Sequence, residues 1–117
     1  LHNWLGPQMD SIFSNSYKAL KSGGIFGIVE HRAKAGTSLA EMKKSGYVTE
    51  EHAIETAKKH GFTFIAKSEV NANPKDTKDY SGGVWTLPPS LRLKEVDKDK
   101  YLSIGESDRM TLLFKKI

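Results

Sequence analysis

Between residues 8 and 21, Met9, Ile12, Phe13, Tyr17 and Leu20 recur at three- and four-residue steps, the spacing that lays one apolar stripe along a helix. Gln8 to Lys21 is therefore expected to be helical. It closes on Lys21 and the pair Gly23-Gly24, where a helix end favours a cation and a left-handed residue. The pattern then changes. Ile25, Phe26, Gly27, Ile28 and Val29 run without polar alternation into Glu30 and His31, which predicts a strand covered on both faces, as in the middle of a parallel sheet. Each large side chain of that run contributes roughly 1.5–3 kcal/mol if fully buried, so the segment does not read as surface.

Residues 31–48 are mixed and punctuated by Gly36 and Gly46, a connection with at most a turn of helix around Leu39 to Lys44. Thr49 then offers a cap, Glu50 and Glu51 suit the positive start of a helix, and Ala53, Ile54 and Ala57 supply an apolar face. Lys58, Lys59 and His60 precede a closing Gly61. Phe62 to Val70 reads as the next strand. Strand, helix and strand from 25 to 70 thus imply a right-handed crossover. Residues 71–107 hold Asn71, Asn73, Pro74, Gly82, Gly83, Pro88 and Pro89 and form no single regular element, apart from a short helix over Lys98 to Ile104 after Asp97. Trp85, Leu87, Leu91 and Leu93 argue that this stretch is ordered. Met110, Leu112 and Phe114 alternate with Thr111, Leu113 and Lys115 to give a closing strand.

Composition narrows the class of protein. A chain of 117 residues, 38% hydrophobic and 27% charged, is one domain or part of one. The net charge of +4 comes from lysines scattered in blocks no longer than two, a solvated surface and not a nucleic-acid footprint. The absence of cysteine excludes disulfides, thiolate zinc sites and cysteine nucleophiles. No stretch approaches the roughly 18 apolar residues of a membrane span, and no segment reads as a signal peptide. The residues name no compartment, the cytoplasm being the default.

Leu20-Lys21-Ser22-Gly23-Gly24, followed by an apolar strand and Glu30, resembles the late half of class I S-adenosylmethionine-dependent methyltransferases, which commonly write the turn Leu-Lys-Pro-Gly-Gly. Leu1-His2-Asn3-Trp4 resembles the Leu-His-Asp-Trp of small-molecule O-methyltransferases, and its spacing to Leu20 and Glu30 fits that group. Ser22 and Asn3 depart from the family's proline and aspartate. The resemblance implies an α/β fold, the C-terminal half of a Rossmann-like methyltransferase sheet across residues 1–117. Its last strand would be antiparallel and set inside the sheet edge. It further implies S-adenosylmethionine as cofactor, bound mostly by an amino-terminal half expected to precede Leu1. Gly23-Gly24-Ile25-Phe26-Gly27 is itself no nucleoside cradle, because it lies before and within a strand and not between a strand and a helix.

Several side chains are candidates for chemistry. His2, beside Asn3 and Trp4, corresponds to the family's general base; its imidazole, with an ordinary pKa near about 6.5, suits removal of a proton from a hydroxyl. The other reading of His2 is a loop residue that caps a helix. Asn3 and Trp4 are candidate substrate contacts. Glu30 and His31 stand at a strand's carboxyl end, where open parallel sheets bind ligands; they either meet substrate or meet water. His31-Arg32 suits an acidic substrate group. The segment Glu69 to Asp79 leaves a strand on the side of Glu30 and is expected to cover the pocket mouth, with 71–107 as lid or substrate loop. Asn71 and Asn73 offer uncharged amides there, or else serve turns beside Pro74. Trp85 either walls the pocket or plugs the loop onto the sheet. Glu69, Asp76 and Asp79 lack the spacing of a metal site, and His52 and His60 read as structural.

The leading expectation is a methyltransferase acting on a small molecule, with transfer to oxygen and His2 as base; the 117 residues alone are expected to be inactive. The competing expectation is a noncatalytic α/β binding or interaction domain of the same shape. The partner is a small-molecule methyl acceptor, with no nucleic acid and no membrane. An exposed sheet edge predicts a homodimer.

Overall fold

The computed structural model describes residues 4–117, so the roles expected of His2 and Asn3 lie outside the described residues. Four helices and a three-stranded sheet follow the order α1 (Pro7–Ala19), β1 (Ile25–His31), α2 (Leu39–Ser45), α3 (Glu50–Lys59), β2 (Phe62–Ser68), α4 (Lys98–Ile104) and β3 (Arg109–Lys116). Pro7 opens α1 at a position where its missing N–H is not needed. The predicted stripe points inward, with Met9 and Phe13 buried and Tyr17 and Leu20 packed against the core. The helix ends two residues earlier than its periodicity suggests. Its last carbonyls are met by a distant cation: Lys116 Nζ donates to Tyr17 O at 2.7 Å and Leu20 O at 2.8 Å. Thr49 caps α3 as its sequence predicts, its Oγ1 accepting from the His52 N–H at 3.1 Å. The single turn expected near Leu39 is a seven-residue helix, capped by Ser38 Oγ on the Glu41 N–H.

The strand order is β1-β3-β2, with β3 antiparallel to both neighbours. The closing strand therefore lies inside the sheet. The strands β1 and β2 point the same way, are joined across α3, and do not touch. The register pairs Phe26 with Phe114, Ile28 with Leu112 and His31 with Arg109. Between β2 and β3 it slips after Phe64, where Ile65 forms a bulge. Even-numbered residues of β1 and β3 face the helices. Phe26, Phe62, Phe64 and Phe114 gather there, with Phe26 5.0 Å from Phe62 and 5.6 Å from Phe13 between ring centroids. Such pairs add about 0.5–1.5 kcal/mol each beyond area burial.

One expectation is corrected. The strand β1 is not covered on both faces among the described residues: Ile25 is 64% exposed and Val29 53%. Both long helices pack on the other face, and β1 is an edge strand joined on its outer side only at its end, by the parallel bridge Arg32–Val48. The polar alternation is missing because the outward positions Ile25, Gly27 and Val29 are themselves apolar.

Residues 71–107 are ordered by anchors and not by regular structure. A 3-10 turn spans Gly83–Thr86, and Arg92 lies over the Trp85 ring at 4.8 Å while its N–H donates to Trp85 O. The turn seats directly on the end of α2. Gly83 has φ +65°, and a Cβ there would fall 2.5 Å from Ser45 O; Gly46 has φ +77°, and a Cβ there would meet Val84 and Trp85 at 2.7 and 2.8 Å. Only glycine meets both demands at these two positions.

Candidate functional site

Strand alternation separates the two residues expected to share a crevice. Glu30 turns toward the helices and is buried, its Oε1 accepting from the His31 backbone N–H at 2.9 Å. His31 turns to the opposite face, where its Nδ1 hydrogen-bonds with Ser107 Oγ and its ring meets Tyr47 edge-on at 6.5 Å.

Immediately beyond, Arg32 holds the loops together. Its Nε and Nη2 grip the two carboxylate oxygens of Asp108 at 2.8 Å each, and Nη1 reaches Glu50 at 3.1 Å and Glu69 at 2.8 Å. Lys78 Nζ adds a second cation to Asp108 at 2.7 Å, and the Asn73 N–H donates to it at 2.8 Å. Burial works to raise the Asp108 pKa, but the Arg32 fork, Lys78 and the Asn73 N–H outweigh it and hold this carboxyl well below the usual range. Asp108, Glu69 and Glu50 in turn raise the Arg32 pKa.

A second carboxylate lies underneath. Asp76 accepts from the Tyr47 hydroxyl at 2.9 and 3.0 Å, from the Asp108 N–H at 2.9 Å and from the Lys78 N–H at 3.0 Å. Burial, then the charge of Asp76, pushes the Tyr47 phenol pKa upward. This network fastens 69–79 to the starts of β3 and α3. The segment expected as a lid is bolted along its length.

The amides of Asn71 and Asn73 are part of that bolt. Asn71 Nδ2 donates to Thr111 Oγ1 at 2.9 Å, and Asn73 Nδ2 donates to Ile104 O and Glu106 O at 2.8 and 2.7 Å. Glu69, Asp76 and Asp79 bind Arg32, Tyr47 and Thr77 respectively, and no three metal-ligating side chains gather among the described residues. His60 Nε2 sits 2.9 Å from Asp10, and His52 lines a hollow between α1 and α3.

His31 and Trp85 do come together. They line a cleft of about 190 Å³ with Pro88, Ser90, Ser107 and Arg109. It opens at the carboxyl end of β1, on the face away from the helices. A larger hollow of about 390 Å³ lies beside Tyr47, lined by Lys34, Thr37, Lys44, Lys78 and Asp79. Trp4 lines neither; it is 49% exposed on a shallow apolar groove with Pro7 and Ile12.

Ser107, Asp108, Arg109 and Tyr47 are not among the candidates drawn from the sequence. Asp108 and Arg109 are 76 and 77 positions from Arg32 in the chain, and only the antiparallel register of β3 against β1 brings them to His31 and Arg32. The alternation of Met110, Leu112 and Phe114, extended two residues back, is the signal that places Asp108 with the inward set and Arg109 with the outward one.

No helix among the described residues is long and apolar enough to cross a membrane. Comparison with known protein families, with curated proteins and with solved structures finds no match to this chain.

Proposed function

We propose that these residues form the C-terminal half of an S-adenosylmethionine-dependent methyltransferase domain acting on a small molecule, with transfer to a hydroxyl oxygen. The observation that supports this reading is the strand order. An antiparallel last strand set between two strands that run parallel to each other across a helix is the arrangement that the resemblance implies, and β1-β3-β2 has it. The described residues do not themselves fit the cofactor. Gly23 and Gly24 are tied to Lys116 and Lys21 in the turn before β1 and leave no glycine-rich bend between a strand and a helix. On this reading the cofactor would be held by residues other than the described ones. What this chain would contribute is acceptor binding at the carboxyl end of β1, and a base, His2, to take the hydroxyl proton. Such catalysis is largely positioning of two reactants.

A noncatalytic α/β module is the second reading. It is favoured by the ties of Asn71 to Thr111, of Asn73 to Ile104, Glu106 and Asp108, and of Arg32 to Asp108, which make structural links of Asn71, Asn73 and Arg32, all expected to meet substrate. Calorimetric titration of S-adenosylhomocysteine separates the two. Binding to the natural protein extended upstream of Leu1, and not to residues 1–117, is the expected result. Absence of binding to both refutes the methyltransferase reading.

A further inference from the structure

We propose that the cleft bounded by His31, Trp85, Pro88 and Arg109 is a binding site for a small planar anion, an aromatic carboxylate being the chemistry it fits. The inference stands independently of the methyltransferase reading. Two arginines differ in how they are engaged, Arg32 just after β1 and Arg109 at the start of β3. Arg32 spends its guanidinium entirely on three carboxylates. Arg109 does not: among the described residues its buried Nε–H meets no acceptor, and the ion pair it makes there is a 3.5 Å contact from Nη2 to Glu106, a side chain 66% exposed that also lines the cleft. A buried donor left unmet is costly and calls for an explanation. A carboxylate taking the place of Glu106 at Nη2 would reach the Nε–H once the 33%-exposed side chain turns toward it, in the fork geometry that guanidinium groups favour, and would release Glu106 into water.

The rest of the cleft suits a flat ring. The register sets His31 directly opposite Arg109 on one sheet face, within the reach of a cross-strand pair. The Trp85 indole stands along the cleft, with the Arg92 guanidinium 4.8 Å from its ring centroid. Pro88 and Pro89 add apolar surface without backbone N–H donors. A volume of about 190 Å³ is below the roughly 300 Å³ at which pockets for drug-sized molecules begin, so the ligand it suits is small. The larger hollow beside Tyr47 makes a weaker case, because Lys78 is spent on Asp108 and Asp79 faces the remaining lysines.

The test is a titration of the isotopically labelled chain with benzoate, followed by nuclear magnetic resonance at the Arg109 Nε–H and the Trp85 indole N–H. Both signals are expected to move along a single saturation curve. Cyclohexanecarboxylate, which keeps the charge and loses the flat ring, should bind more weakly, and benzamide, which keeps the ring and loses the charge, should not saturate. Arg109→Gln should weaken benzoate by about tenfold or more. Arg109→Lys keeps a charge and loses the fork, and serves where the glutamine variant fails to fold; it too should weaken binding. Unsaturable drift of both signals, benzamide binding as well as benzoate, or unchanged affinity in the lysine variant would each overturn the assignment. Benzoate binding without any S-adenosylhomocysteine binding by the extended protein would leave the cleft standing and remove the methyltransferase.

Discussion

Replacing Arg32 by methionine tests whether the fold depends on one guanidinium. The side chain is 15% exposed and meets Asp108, Glu50 and Glu69. After its removal Glu69, 56% exposed, turns to water, and Glu50 keeps Lys67 at 3.3 Å. Those two losses are small. Asp108 is different, being 4% exposed and left with Lys78 and the Asn73 N–H. Removing one partner of a buried pair costs about 3–5 kcal/mol; with Lys78 still in place the expectation is about 2–4 kcal/mol. Urea unfolding followed by tryptophan fluorescence and circular dichroism measures it, with an unchanged m-value marking a loss of stability alone. Arg32→Lys should lose part of this, since an ammonium cannot make the fork. The double variant Arg32→Met/Asp108→Asn should lose less than the two single losses added together, because both remove the same ion pair. Asp108 has a depressed pKa in the folded state, so its contribution is fully present above its unfolded pKa, about 3.9, and is lost as pH falls from there toward the folded value. The difference between native chain and variant should therefore hold steady from neutral pH to about pH 5 and shrink below about pH 4. A variant within about 0.5 kcal/mol of the native chain, which is the range of ordinary surface changes, would refute the reasoning.

Tyr47→Phe removes one of the donors to buried Asp76 and should cost about 1–2 kcal/mol by urea unfolding at neutral pH. Because the folded Tyr47 pKa is raised, its contribution is intact below the unfolded value of about 10 and lost as pH climbs past it; the native chain should lose more stability than the variant in that alkaline window, and parallel curves would contradict the assignment. Gly46→Ala combines a positive φ with a Cβ closer than 3 Å to Val84 and Trp85 and should cost about 1–3 kcal/mol in thermal unfolding, with a disturbed Trp85 signal; an unaltered midpoint would mean that the 3-10 turn shifts freely off α2.

Elements with a local signature were legible in the sequence. Thr49 with Glu50 and Glu51 announces α3, because caps and periodicity act within a few residues; α4 lies where it is expected after Asp97, although Asp97 is left-handed and its side chain makes no cap hydrogen bond. The covering of β1 was not legible, since Ile25, Gly27 and Val29 read alike whether another layer or solvent lies over them. At the site, Glu30 and His31 look like a pair in the sequence because they are adjacent, and adjacency in a strand sends them to opposite faces. Asn71 and Asn73 look like ligand contacts, yet their amides are satisfied by β3 and the loop before it. The decisive partners of Arg32 and His31 come from Ser107 to Arg109, and only tertiary register selects them.

The position of β3 has a consequence for how the chain acquires its shape. The strands β1 and β2 have no hydrogen bonds to each other, so neither can be zipped into the sheet until the segment 109–116 arrives between them. During synthesis from the amino terminus, the aromatic side chains of Phe26 and Phe62 wait for Phe114 while residues 69–108 emerge between β2 and β3. Contacts of such sequence separation slow folding, and the unzipped strands are open meanwhile to pairing with other chains. Assembly of this sheet is thus gated by β3, and a nascent chain stalled before residue 109 should depend on chaperones far more than one that has passed residue 116 does.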